Sequence, residues 1–368
     1  MCVLLLAVAC GGDDDGDAEP DANTDVEVCT PPAGVAAWFD PTSEVCIKLS
    51  SYRFFTDGVA QTPNDRVVGY DLNTPLFSDY ANKHRFIWLP DGTQITYDAD
   101  GVFVFPDGAV IIKTFGYFTD IRDPALGERL LETRLLVNTG LSWQSVVYQW
   151  NDEQTEATLL IAGAIVEGVS WIHSDGASRT VDYIIPNTNQ CTNCHERASL
   201  VKPIGPQARH LNRDYDYGAG PVNQLTHLAT VGYLTGAPAD PTSAPSAPIF
   251  DDDATGTVEE RARAWLDINC AHCHNPQGLA RTSGLDLSHD QTTASQYGVC
   301  KTPVAAGAGS GGFQYDIVPG TPDESILVFR IESIVPGIRM PELLRTIVHD
   351  ESVAVVRQWI TDINGNCN

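Results

Sequence analysis

Between residues 47 and 186, apolar and polar residues alternate in short segments. Segments such as VFVFP, AVIIKTF, RLLV and SVVYQW have the period of two that is typical of β-strands, and PDG, TDG and ADG turn sequences stand between them. We therefore predict a β-rich N-terminal domain, antiparallel and sandwich-like, at residues 29–186.

The pattern changes after residue 186. Residues 223–234 (NQLTHLATVGYL) favour a short helix, and Pro, Ala and Ser dominate residues 236–249, which is typical of a linker. Thr257 and Glu260 have the spacing of a capping box and predict the start of a helix. A last helix is predicted from about Asp350, with five apolar residues on one face: Val353, Val356, Trp359, Ile360 and Ile363.

Two sequences match the C-x-x-C-H pattern of covalent haem attachment, CTNCH at 191–195 and CAHCH at 270–274. Two thiols one helical turn apart can add to the two vinyl groups of haem, and the adjacent imidazole can then bind the iron. We therefore predict two covalently bound haem c groups, a cytochrome c-like, metal-binding protein, and redox function. Cys191, Cys194, Cys270 and Cys273 would carry the haems, and His195 and His274 would be the proximal iron ligands. A zinc site built from the four cysteines is the alternative.

The distal iron ligands must differ between the two haems. The sequence has two methionines, Met1 and Met340, so at most one haem can have His/Met ligation, and Met340 is predicted to bind the second haem. A core methionine in a turn is the alternative for Met340. The first haem is left with another ligand or an open site; the candidate ligands are His210 and His227 by proximity, then Lys202, His84 and His173.

The remaining layout completes the predicted domain organisation. Helix, C-x-x-C-H, loops, Met-Pro and terminal helix is the layout of a small helical cytochrome c domain. The fold class is therefore multidomain α+β, the β-rich domain being followed by a mainly α-helical haem-binding region. We assign residues 187–235 to the first haem, 236–256 to a linker and 257–368 to the second haem.

The start of the chain indicates export. The apolar residues 1–10 end in Cys10 and are followed by the acidic residues 11–28, as in a bacterial lipoprotein signal and its tether. We predict a signal peptide cleaved before Cys10, a lipid anchor on that cysteine, and a location on the periplasmic side of the envelope of a Gram-negative bacterium. The membrane would be reached through the lipid alone, because no apolar run is long enough to span it.

Export makes disulfides possible. Once the haem cysteines, Cys10 and the signal residue Cys2 are set aside, four cysteines remain, with three possible pairings. Proximity in the chain favours Cys29 with Cys46 and Cys300 with Cys367, and free thiols are the alternative.

The charge restricts the partners. Lys and Arg total 22 against 48 Asp and Glu, a formal charge of −26, so nucleic acid is a poor partner and basic redox proteins are favoured.

The chain also resembles a known family over nearly its whole mature length. The resemblance rests on TPLFSDYANKHRFIWLP, FPDGAVIIKTF, ETRLLV, YQWN, IPNTNQCTNCH, PIGPQARHLN, NQL, INCAHCHNPQG and IRMP. These stretches are similar to a family of two-haem c-type cytochrome-like bacterial proteins of poorly defined role, many of them predicted lipoproteins. The C-terminal part is similar to a class I cytochrome c domain. The resemblance implies the two covalent haems and their proximal histidines, but no reaction.

Three functions follow as hypotheses. The first is the transfer of single electrons between periplasmic or other cell-envelope redox partners. The alternative is a two-haem redox enzyme of peroxidase-like logic, in which an open, low-potential first haem is fed by a His/Met second haem. The third is a binding module whose haems are structural.

Overall fold

The computed structural model describes residues 29–367 of the chain. Residues 1–28, which include the predicted signal, Cys10 and the acidic tether, lie outside this range. In chain order, the strands of the described range are β1 (Phe55–Asp57), β2 (Thr62–Pro63), β3 (Val67–Gly69), β4 (Asn82–Trp88), β5 (Ile95–Thr96), β6 (Val110–Phe118), β7 (Glu128–Asn138), β8 (Trp143–Trp150), β9 (Ala157–Leu159), β10 (Ala164–Ile172), β11 (Ser178–Ile185), β12 (Glu196–Arg197), β13 (Leu200–Val201), β14 (Asp214–Asp216), β15 (Pro221–Asn223) and β16 (Leu234–Thr235).

A six-stranded sheet of order β3-β4-β6-β7-β8-β9 forms the centre of the N-terminal part, and all of its strand pairs are antiparallel. The prediction of a β-rich, antiparallel region is therefore confirmed. Successive side chains of each strand point to opposite faces of the sheet, and both faces are packed against other parts of the chain. One face packs against the segment that carries Cys46, Tyr52 and Phe54.

The other face is covered by two different structures. At one end the hairpin β10–β11 packs on it through Trp171 and Tyr183. At the other end residues from the 208–234 region, among them Leu211 and Leu228, fill the space. The layer over this face is thus a two-stranded hairpin plus short helices and loops.

Helices make up a small part of the described chain. They are α1 (Thr188–His195), α2 (Ala208–Leu211), α3 (Gln224–Thr230), α4 (Val258–Leu266), α5 (Ile326–Glu332) and α6 (Asp350–Asp362), and a π-helical turn, Asp267–Ala271, follows α4. The prediction of a mainly α-helical region is wrong, because long irregular segments separate these helices. Gly-rich sequence such as AAGAGSGG disfavours regular helix, and between 272 and 325 the structure has single 3₁₀ turns instead.

The predicted ends of the C-terminal part do form helices. Thr257 and Glu260 make the capping box at the start of α4, and α6 packs against α4 with Val356, Trp359 and Ile360 buried between them. None of the helices described between residues 29 and 367 is long and apolar enough to cross a membrane.

The segment at 236–249 is held against the rest of the molecule by side-chain amides and a hydroxyl. Asn212 donates to the carbonyl oxygens of Pro241 and Ala244 at 2.9 and 3.0 Å. Asn73 donates to the Ala247 carbonyl at 2.8 Å, and the hydroxyl of Thr74 donates to that of Pro248 at 3.0 Å. A Pro-rich segment whose regular structure is the single 3₁₀ turn Pro241–Ser243 thereby has defined partners.

Two disulfides join Cys29 to Cys46 and Cys300 to Cys367, the pairings that proximity favours. The first anchors the N-terminal segment to the sheet, where Cys46 is buried. The second closes a loop of 67 residues around the C-terminal part.

Candidate functional site

The first C-x-x-C-H motif occupies the helix α1, and a complete capping box starts this helix. The side chain of Asn187 accepts from the backbone N–H of Gln190 at 2.9 Å, and the side chain of Gln190 accepts from the N–H of Asn187 at 3.0 Å. Cys191 and Cys194 therefore lie one turn apart in a helix whose start is defined. Cys191 is buried, and Cys194 is half-buried.

His195, the last residue of α1, is held by its Nδ1 atom. This nitrogen lies 2.8 Å from the carbonyl oxygen of Lys202, which can only accept, so Nδ1 carries the proton and Nε2 keeps its lone pair. Burial lowers the pKa of His195 to about 4, so the imidazole is neutral at neutral pH. A neutral ring whose other nitrogen is fixed by a hydrogen bond is the form in which histidine binds metals.

The second motif begins in the π-helical turn Asp267–Ala271, which follows α4 directly. Such turns are frequent at functional sites. The Nδ1 atom of His274 lies 3.0 Å from the Ser283 hydroxyl, which itself donates to the Ala280 carbonyl at 2.7 Å. Ser283 must therefore accept from His274, which leaves Nε2 with its lone pair. Burial, followed by the nearby charge of Arg330, lowers the pKa of His274 to about 4.

The structure brings the two motifs into contact although they are about 80 residues apart in the chain. The thiol of Cys273 lies 3.7 Å from the carbonyl oxygen of Asn193 and hydrogen-bonds with Cys194, which lowers the pKa of Cys194. Just beyond the motifs, Gln277 accepts from the backbone of Ala198 at 3.2 Å and from the side chain of Arg197 at 3.1 Å. Nothing in the sequence pattern indicates this contact.

A cavity of about 590 Å³ opens beside the first motif, which is within the size range of cofactor and ligand sites. Cys194 and His195 line one part of it, and His210 and Asp267 line another. His210 is fully buried, its Nε2 lies 3.3 Å from a carboxylate oxygen of Asp267, and neither of its ring nitrogens makes a hydrogen bond. The imidazole of His210 thus lines the same cavity as His195 of the first motif.

The other candidates for the first haem lie in different surroundings. His227 stacks on Tyr217 with 3.4 Å between ring centroids and does not line the cavity. His84 contacts Glu128 at 2.7 Å, and His173 contacts Glu351 at 3.1 Å. Lys202 lines the cavity, and its carbonyl is the partner of His195. The structure therefore places His210, rather than His227, near the first motif.

Met340 lies in the loop between α5 and α6 and is half-buried. Its backbone N–H donates to the Arg330 carbonyl at 2.9 Å. Cys270 is buried in one cluster with Val328 and Ile331 of α5, so the loop that follows α5 and the second motif belong to the same part of the fold. Arg345, in the same loop, is buried and donates to the carbonyl of Ile331, and its charge acts on Cys270.

Sequence reasoning missed a group of cations on the sheet. Arg85, Lys113 and Arg134 lie opposite one another on β4, β6 and β7. The signal that could have found them is a basic residue at an inward position of three successive predicted strands, in NKHRFIW, VIIKTF and ETRLLV.

One prediction needs correction. The motifs predict a metal-binding protein, but residues 29–367 contain no group of three or more His, Cys, Asp or Glu side chains that could hold a metal ion. The prediction is therefore wrong for an ion held by side chains, and the four cysteines do not assemble as a zinc site there. The reason is geometric, since Cys191 and Cys270 are each buried in separate apolar clusters.

The chain matches no protein-family model, no curated protein and no solved structure.

Proposed function

We propose that the protein is an exported two-haem c-type cytochrome that transfers single electrons between partners in the cell envelope. The observation that carries the proposal is the pair of C-x-x-C-H motifs lying in contact, each with a neutral proximal histidine whose Nδ1 is held. A haem iron takes its equatorial ligands from the porphyrin, so the chain needs to supply only axial ligands. The proposal therefore does not need a cluster of metal-binding side chains.

The chain has the residues to hold two haem groups. Cys191 and Cys194 would bind the first covalently, and Cys270 and Cys273 the second, while the groups supply one-electron redox chemistry when bound. The protein's own contribution is orientation. The carbonyl of Lys202 and the hydroxyl of Ser283 fix the two imidazoles, and the contact between the motifs brings the two attachment sites together.

The two sites are chemically unequal. We assign Met340 as the distal ligand at the second site, within a cytochrome c-like unit of α4, its following turn and α6. We assign His210 as the distal ligand at the first site, which the cavity and the uncommitted Nδ1 support. Thioether ligation raises the reduction potential of a haem relative to bis-imidazole ligation, so a haem at the second site would be reduced more readily than one at the first.

We infer the location and the partners of the protein from residues 1–28 and from its net charge. A lipid on Cys10 would hold it at the periplasmic side of the membrane, with residues 11–28 as the tether. The formal charge of −26 favours docking of basic redox proteins.

The test is production of the full chain in a host with a c-type haem maturation system. We expect a mass increase of two haems, and one fewer when Cys191 and Cys194 are both replaced by alanine. Replacement of the Cys29–Cys46 disulfide by two alanines is the control and should leave two haems. A wild-type chain that carries no covalent haem contradicts the proposal.

A peroxidase-like enzyme is the second candidate, and one observation favours it. The cavity is lined by acid–base and charged groups, namely Arg209, His210 and Asp267. Arg209 donates two hydrogen bonds to Asp267, at 2.8 and 2.9 Å. These groups could serve a small oxidant at an open first haem. EPR of the ferric protein separates the two: low-spin iron unaffected by cyanide supports the carrier, and high-spin iron that cyanide converts supports the enzyme.

A further inference from the structure

Four basic side chains lie on one face of the central sheet. Cross-strand pairing places Arg85 opposite Lys113 and Lys113 opposite Arg134, and Lys83 is two residues before Arg85 on the same face. We call these four residues the cationic row. The neighbouring row of the same face is apolar and buried, and consists of Ile87, Ile111 and Leu136.

The carboxylates around the cationic row do not balance its charge. Glu132 is bound to Arg134 at 2.7 Å and also accepts from Tyr183, while Asp71 is bound to Arg85 at 2.6 Å and is shared with Arg213. Two carboxylates therefore pair with this group of basic side chains, and a third, Asp79, acts on Lys83 without forming an ion pair with it. These carboxylates are too few to neutralise the row, although the chain has 48 acidic residues.

In the described structure Lys113 forms no salt bridge, and Arg85 uses Nη1 but not Nη2 to bind Asp71. The ammonium of Lys113 lies 4.7 Å from the centre of the Phe115 ring, with Arg134 above the same ring at 4.3 Å. The Nη2 atom of Arg85 is buried and makes no hydrogen bond, in a side chain that is 4% exposed. Like charges on opposed strands and unpaired buried charge both destabilise a fold. Burial, with the charge of Arg85 as a second cause, lowers the pKa of Lys83 to about 7.

The cationic row is adjacent to the first motif. Cys191 is buried in the same cluster as Phe115 and Val147, which lie on this face of the sheet, and Val147 is directly opposite Arg134. The charge of Arg134 acts on Cys191, and that of Lys113 acts on His195. A group attached to this motif would therefore lie close to the row.

We propose that the cationic row is an anion site that takes carboxylate groups, and that these are the propionates of a haem attached at Cys191 and Cys194. Guanidinium and ammonium groups are the side chains that bind carboxylates most strongly, and Arg85 has donors still free to do so. The assignment to haem rests on the proposed function, whereas the anion site itself does not. A free carboxylate-bearing molecule is the other source of the same chemistry.

The experiment is a calorimetric titration with oxalate. It uses the full chain with two haems and the Cys191→Ala/Cys194→Ala variant, which carries only the second haem. We expect oxalate to bind the one-haem variant and not the two-haem protein, because the propionates fill the row in the latter. In the one-haem background, Lys113→Met should weaken oxalate binding at least about tenfold, equivalent to about 1.4 kcal/mol. Lys113→Arg should retain it.

Lys48→Met is the matched control, because Lys48 is exposed and its backbone pairs with Thr158 on the edge strand. Binding of oxalate to the two-haem protein that Lys113→Met weakens would keep the anion site and overturn the propionate assignment. Absence of binding to both proteins, or equal binding in Lys113→Met and Lys48→Met, would overturn the site itself.

Two further measurements distinguish failure of the anion site from failure of the proposed function. If the one-haem variant does not fold, the reduction potential of the first haem in the two-haem protein replaces the titration. Lys113→Met should lower that potential, since a nearby positive charge disfavours ferric iron, and Lys48→Met should not. Haem content by mass tests the proposed function separately, since a haem-free wild-type chain can still be titrated with oxalate.

Discussion

At the scale of single residues, His195 and His274, which we propose as the proximal iron ligands, are positioned by unlike partners. His195 donates to a backbone carbonyl, which no side-chain substitution removes, whereas His274 donates to the hydroxyl of Ser283. The second site is therefore the one whose ligand strength can be changed by mutation.

Ser283→Ala tests this difference. The substitution removes the acceptor of His274 Nδ1–H, so the imidazole becomes a weaker donor and the reduction potential of the second haem should rise. Ser283→Thr should restore the wild-type potential because it keeps the hydroxyl. Ser288→Ala, which removes a hydroxyl that donates to Asp286, is the control. Spectroelectrochemical titration measures all three, and an unchanged potential in Ser283→Ala would contradict the assigned role.

Met340→Ala tests the distal ligand of the second haem. Loss of the thioether should convert one haem to high spin or lower its potential, as seen by EPR and redox titration. Val335→Ala, in the exposed part of the same loop, should change neither. A spectrum that stays the same in Met340→Ala would reject Met340 as a ligand.

At the scale of elements, the geometry of the first motif depends on the start of α1. The capping box of Asn187 and Gln190 satisfies N–H groups that an eight-residue helix cannot satisfy internally. The helix is short, so tertiary contacts and the cap together determine whether the two thiols lie one turn apart.

Asn187→Ala should lower the free energy of unfolding by about 1 kcal/mol. Asn187→Ser keeps an oxygen that can accept from the same backbone N–H and should recover most of the loss. Asn189→Ala, at an exposed position of the same first turn, is the matched control. Denaturant unfolding measures the difference, and equal stabilities for the two alanine variants would show that the cap contributes nothing.

At the scale of the whole molecule, two disulfides of different loop length hold the ends of the described chain. The chain-entropy model assigns about 4 kcal/mol to a loop of 67 residues and about 3 kcal/mol to one of 17. Replacing Cys300 and Cys367 by serine should therefore lower the free energy of unfolding more than replacing Cys29 and Cys46. Denaturant unfolding of the two double variants checks this order, and the reverse order would show that native-state packing dominates.

The net charge predicts a salt dependence for electron transfer. The rate with a basic redox protein should fall steeply as ionic strength rises from about 0.01 to 0.1 M, because screening shortens the Debye length from about 30 to 10 Å. The rate with a small uncharged reductant is the control and should stay nearly constant. Stopped-flow spectroscopy measures both, and equal salt dependences would argue against electrostatic docking.

Features that depend on local sequence could be predicted. The capping box of Thr257 and Glu260 and the alternation that produces the sheet involve residues close together in the chain, so their spacing is sufficient. The disulfide pairings also agree with proximity in the chain. The amount of helix after residue 187 was overestimated, because the layout of a helical domain does not show how much of the connecting sequence is irregular.

The strands, the two C-x-x-C-H motifs and the excess of negative charge can be read from the amino-acid sequence, since each is a property of neighbouring residues or of composition. Three features emerge from the folded chain alone: the contact between Cys194 and Cys273, the position of His210 rather than His227 in the cavity, and the cationic row. Each of these depends on strand register or on packing between distant segments. A single chain's periodicity records which face of an element is buried, but not which other element covers it.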